Sequence, residues 1–163
     1  MMIRKTLLAA LLLTATHADA QTYMARQVVR VSGIVDGSDI PDKSEYVENG
    51  NFSTRSGWTL VGGSAWATNS VSINGSGKGV SQTITGLRPG ASYTLTFHIR
   101  CTAGVNHVVN YRYAVGSKSG TGSQANATVS VPFVAEGGSM PITIAATSNG
   151  DAYAIFSVSV VKN

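Results

Sequence analysis

Catalysis by general acid and base starts from carboxylates, and this sequence nearly runs out of them. From Asn49 to Asn163 only Glu136 and Asp151 carry one. Cleaving a glycosidic bond takes two acidic groups facing one cleft, about 5–10 Å apart. Glu136 precedes Gly137-Gly138 and Asp151 follows Asn149-Gly150, so both read as turn residues. His17, His98 and His107 lack metal-ligand company, and zinc needs about three or four ligands. A serine nucleophile needs a base and an orienting acid, and no Gly-x-Ser-x-Gly elbow appears. Gly75-Ser76-Gly77-Lys78-Gly79 lacks both the leading glycine of a phosphate loop and the Ser or Thr after its lysine. It reads as a hairpin turn. Cys101 is the sole cysteine, so no internal disulfide forms; it reads as a small buried hydrophobe. The chain is expected not to be an enzyme.

Binding asks for less. A flat aromatic side chain stacks on the apolar face of a sugar ring, and a guanidinium or amide reads the polar groups. Phe52, Tyr93 and Phe97 read as core anchors. Trp66, between Ala65 and Ala67, is the better candidate for an exposed platform. His98, Arg100, Asn110 and Arg112 fall on the polar faces of two consecutive alternating runs; if those runs are neighbours, the four gather on one concave surface. Trp66, His98, Arg100, Asn110, Tyr111 and Arg112 are therefore the candidate ligand-binding residues.

The elements that must hold these residues are strands. The composition is 43% hydrophobic and 12% charged, about half the usual charged share. Tyr93, Leu95, Phe97 and Ile99 alternate with Thr94, Thr96, His98 and Arg100. Val109, Tyr111, Tyr113 and Val115 alternate with Val108, Asn110, Arg112 and Ala114. Val129, Val131 and Phe133 repeat the pattern, followed by Ile142 and Ile144 and by the run Ala152 to Val161. A period of two over short runs marks strands with one buried face. Glycine-rich turns separate them, including Gly62-Gly63, Pro89-Gly90 and Gly116 to Ser123. Roughly eight strands at this spacing make an all-β, two-sheet antiparallel β-sandwich of the jelly-roll kind.

Residues 1–20 read as a secretory signal peptide: Arg4 and Lys5, an apolar stretch, then Ala18-Asp19-Ala20. The apolar stretch is too short for a comfortable membrane span, so the product is expected to be secreted or held at the cell surface. Residues 21–46 read as an N-terminal arm or linker and 47–163 as the β-sandwich domain. The twelve basic residues are scattered, which leaves no nucleic-acid footprint.

Three stretches carry a family resemblance. Asn49-Gly50-Asn51-Phe52 with Gly57-Trp58 is one. Gln82-Thr83-Ile84, Leu87, Pro89-Gly90, Tyr93, Leu95, Phe97 and Arg100 form the second. Ala154 to Val160 is the third. Together they resemble carbohydrate-binding modules of the galactose-binding-like jelly-roll type, similar to family 4 and family 9 modules. The resemblance implies that carbohydrate is the partner and that Trp58 packs inside. Fibronectin type III domains share the central motif but not the opening. Many of these modules hold a structural calcium with acids where Asn51, Phe156 and Ser157 stand here. Such a site would lean on backbone carbonyls and Asp151, and no cofactor is expected. The alternative is a structural or adhesive subunit of a surface appendage or virion, forming a homo-oligomer or larger assembly through residues 21–46.

Overall fold

The computed structural model describes residues 43–102 and 108–163. The export segment, the arm as far as residue 42, and His107 lie outside the described residues. Ten strands follow one another: β1 (Thr59–Val61), β2 (Ala65–Ala67), β3 (Ser70–Asn74), β4 (Gly79–Thr85), β5 (Ser92–Cys101), β6 (Val109–Val115), β7 (Lys118–Gln124), β8 (Asn126–Val134), β9 (Ser139–Ala146) and β10 (Ala152–Lys162). They form two five-stranded sheets. The first runs β1-β4-β9-β6-β7 and the second β2-β3-β10-β5-β8. Every pairing is antiparallel. Five strands a side is not the seven-strand sandwich of immunoglobulin constant domains.

Alternation decides which side chains are inside. Tyr93, Leu95, Phe97 and Ile99 of β5 are fully buried, as are Ile142 and Ile144 of β9. Tyr93 does two jobs. Its ring stacks on Phe133 at 5.7 Å, and its hydroxyl accepts the Arg88 N–H at 2.8 Å. That bond fixes the Pro89-Gly90 corner and explains why Leu-x-Pro-Gly-x-x-Tyr recurs as a unit. The opening motif also has a mechanical reading. The Asn49 amide donates to the Thr54 and Ser56 carbonyls at 2.7 and 2.9 Å, and its oxygen accepts the Thr54 N–H at 3.2 Å. A Cβ on Gly50 would collide with the Val158 carbonyl. Phe52 sits at φ 55°, a strained conformation for a bulky residue. Its ring is held in the core against Trp58, 5.4 Å away.

Three sequence expectations change. Gly116 to Ser123 is not all turn; from Lys118 onward it is β7. The glycines belong there because Tyr113 and Tyr111 of β6 lie across the positions where Gly120 and Gly122 would carry a Cβ. A strand whose inward positions are filled from its neighbour has the composition of a loop. Gly75 to Gly79 is a turn but not a hairpin, since it carries the chain from β3 in one sheet to β4 in the other. The sandwich also takes in the end of the predicted arm. Tyr46 is buried, lies edge-on to Tyr93 at 5.1 Å and donates its N–H to the Val160 carbonyl at 3.0 Å.

The Tyr–Gly pairing makes a prediction. Gly122→Ala removes a strand glycine, which alone would help, but it drives the new methyl into the Tyr111 ring. Overpacking wins, at about 1–3 kcal/mol. The variant is expected to show a lower urea midpoint with an unchanged m-value.

Candidate functional site

β5 and β6 are consecutive in the chain but belong to different sheets. The six candidate residues are therefore divided. His98 and Arg100 lie on the outer face of the second sheet. Asn110 and Arg112 lie on the outer face of the first, pointing the other way. Arg112 is exposed among small neighbours, opposite Ala145 and Thr121. Asn110 is taken: its backbone N–H and its amide both donate to Asp151 Oδ1, at 3.0 and 3.3 Å. Tyr111 is in the core, edge-on to Phe97 at 5.7 Å, because a period of two puts it opposite its neighbour Arg112. Burial raises its hydroxyl pKa above 10.0, and Tyr113 adds to the shift. Trp66 is no platform either. It is half-buried, 6.3 Å from Phe52, and packs against the core.

A different aromatic takes the exposed position. Every other described Phe, Tyr and Trp is buried or packed against the core; Phe156 is half-buried on the outer face of the second sheet. A β-bulge puts it there. Ile155 pairs with Ile99 and Ser157 with His98, so Phe156 is the extra residue. Bulges re-aim side chains and often sit beside functional sites. The Phe156 and His98 rings lie 5.8 Å apart at 38°. His98 Nε2 shares a hydrogen bond with Asn126 Oδ1 at 3.3 Å, and Thr128 stands opposite His98 on β8. Arg100 is two residues further along the same face and exposed. The result is an apolar and imidazole surface ringed by a guanidinium, an amide and hydroxyls.

Sequence reading passed over Phe156, although the signal was present. The large apolar side chains buried in β10 are Tyr153 and Ile155, then Val158 and Val160. The parity changes between them, and only an extra residue at 156–157 can do that.

A cleft of about 370 Å³ opens elsewhere, lined by Lys43, Glu45 and Glu48 of the N-terminal segment and by Gln82, Thr83 and Thr85 of β4. Two of its polar side chains, Glu45 and Gln82, are engaged in holding the fold. Glu45 Oε1 accepts the N–H groups of Tyr46, Val47 and Val160 at 2.7–2.9 Å. The Gln82 amide donates to the Glu48 and Gly57 carbonyls at 2.9 and 2.6 Å. The cleft's one aromatic, Tyr46, is buried and has the Lys43 ammonium over its ring at 6.0 Å, so the Phe156 surface is the stronger candidate for a sugar.

Glu136 and Asp151 do not form a catalytic pair. They flank opposite ends of β9, about 25 Å of strand apart. Glu136 binds the hydroxyl and N–H of Ser117, and Asp151 is buried. The side chains at the calcium positions of the resemblance are engaged or uncharged. Asn51 Oδ1 accepts the Ser53 N–H at 3.2 Å. Asp151 spends its oxygens on Asn110 and Ser148. Phe156 and Ser157 offer no charge. Among the described residues no three His, Cys, Asp or Glu side chains converge.

No protein-family model and no curated protein matches the sequence. Solved structures do match. One is a CBM4 carbohydrate-binding module, 11% identical, with a TM-score of 0.55 over 72% of this chain and 99% of that one. Another is TmCBM61 in complex with β-1,4-galactotriose, 15% identical, with a TM-score of 0.58 over 74% of this chain and 100% of that one. The fold is the galactose-binding-like jelly roll. The same jelly roll occurs in the enzymatically active domain of tailspike protein 4 of bacteriophage CBA120, 17% identical, with a TM-score of 0.52 over 74% of this chain but 22% of that one.

Proposed function

We propose that this protein is an exported carbohydrate-binding module with no catalytic step, holding an oligo- or polysaccharide on the outer face of the second sheet. The observation that carries the reading is Phe156. A β-bulge places it outside the core, beside His98 and within a strand or two of Arg100 and Asn126. Phe156 and His98 offer the apolar surface for a sugar ring; Arg100, Asn126 and Thr128 offer polar contacts around it. Glu136 and Asp151 are turn anchors far apart, and Glu45, beside Glu48 in the cleft, is held by three backbone N–H groups, which argues against glycoside cleavage. Export rests on the charged start, apolar stretch and Ala-x-Ala end of residues 1–20.

The test is titration calorimetry and affinity electrophoresis against a panel of polysaccharides. Phe156→Ala is expected to weaken binding about tenfold or more, as loss of a central aromatic contact does. Trp66→Ala, if folded, and Arg112→Ala should leave affinity unchanged. Failure of the wild-type protein to bind any glycan sinks the reading.

An assembly role is the second reading, favoured by the part this jelly roll plays within a larger tailspike chain. Light scattering separates the two. A monomer in solution supports a free-standing binding module, and a defined oligomer lost on removing residues 21–42 supports assembly.

A further inference from the structure

Resting on that reading, we infer that the glycan is acidic and carries uronate carboxylates that Arg100 takes up. The argument is one of donors and acceptors. A neutral sugar presents hydroxyls, which the serine and threonine hydroxyls of this face can meet as donor or acceptor; what the face lacks is a negative charge that would repel an anionic sugar or neutralise Arg100. A carboxylate only accepts. None of the five strands of the second sheet, β2, β3, β5, β8 or β10, contains an aspartate or glutamate. Glu45 reaches the edge of this face, where its Oε2 accepts the Ser159 hydroxyl at 2.5 Å, but its other oxygen is occupied by three backbone N–H groups. Asn126, whose Oδ1 already meets His98 Nε2, adds the two donors of its amide nitrogen.

Arg100 is exposed and makes no ion pair among the described residues. Its guanidinium presents a planar fork that matches a carboxylate in two parallel hydrogen bonds. It stands two residues from His98 on one strand, about 7 Å away. A sugar ring lying on Phe156 and His98 therefore has its substituents within reach of the fork. Ala154, opposite Arg100 on β10, is small and puts no bulk between them.

The proposal is tested with polygalacturonate and the same polymer fully methyl-esterified, which keeps the sugar and removes the charge. The wild-type protein is expected to bind the acid form about tenfold more tightly, the effect of one charge-assisted pair, with the preference shrinking as salt is raised. Arg100→Ala should erase the preference, bringing affinity for the acid form down to that for the ester; Arg100→Lys, a charge without the fork, should restore only part of it. Arg112→Ala, on the opposite sheet, should change neither. Circular dichroism confirms that each variant is folded. Equal affinity of the wild-type protein for both forms overturns the acidic-ligand proposal while the Phe156 site stands, provided Phe156→Ala still loses binding. If Arg112→Ala loses as much as Arg100→Ala, attraction comes from the overall charge of +4 and the proposal falls. No binding to either form or to any neutral glycan removes this proposal and the site together.

Discussion

Asp151→Ala is expected to lower the unfolding free energy by about 3 kcal/mol, read as a drop in the urea midpoint at constant m-value. Asp151 precedes β10 in the second sheet, and its carboxylate crosses to the first. Oδ1 accepts the N–H and the side-chain amide of Asn110 on β6, and Oδ2 accepts the Ser148 N–H at 2.8 Å. Its own carbonyl takes the Gly75 N–H at 2.9 Å. Truncation leaves two backbone donors without a partner beside a residue that is 2% exposed. Hydrogen bonds to a charged acceptor are worth about 1.5–3 kcal/mol, more than the mean worth of a hydrogen bond. Asp151→Asn keeps one acceptor oxygen and is expected to lose less than half as much. An alanine variant as stable as the wild type would show that the sheets are held together without this clasp.

Tyr153→Phe acts in the opposite direction, and the gap widens in alkali. Tyr153 is fully buried, and its hydroxyl has no hydrogen-bond partner among the described residues. Removing it relieves an unsatisfied polar group, and about 1 kcal/mol of added stability is expected at neutral pH. Burial, with the Asp151 carboxylate adding to it, pushes the Tyr153 pKa well above its ordinary 10.0. Between the unfolded and folded values, the folded chain keeps a proton that the unfolded chain has lost. Stability from this group is therefore complete below about pH 10 and declines as pH rises, by up to about 1.4 kcal/mol per pH unit. By pH 12 the wild-type protein should have lost about 2 kcal/mol that Tyr153→Phe retains. Tyr111 shifts in the same direction and is common to both proteins, so it cancels. Parallel stability curves for the two proteins from pH 8 to pH 12 would contradict this account.

Much of the sandwich was legible in advance because facing is a local property. Side chains alternate along a strand, so Tyr93 to Ile99 and Val109 to Val115 could be sorted into inner and outer sets from their own run. Tyr93 and Phe97 were placed in the core for the same reason. Turn chemistry was legible at Pro89-Gly90, and Glu136 and Asp151 proved to be turn anchors. β7 was missed because its glycines answer to Tyr111 and Tyr113 on another strand, not to a loop.

By itself the sequence determined a barely acidic, alternating all-β chain and the set of side chains each strand turns outward. It even held the parity change in β10 that puts Phe156 there. Only the tertiary structure decided which outward sets share a surface. β5 and β6 follow each other in the chain yet pair in different sheets, so His98 and Arg100 joined Phe156 from β10 while Arg112 went to the far side and Asn110 to Asp151. Hydrogen bonding between strands distant in sequence makes that choice. It depends on how both sheets pack at once, and no single run of residues carries it.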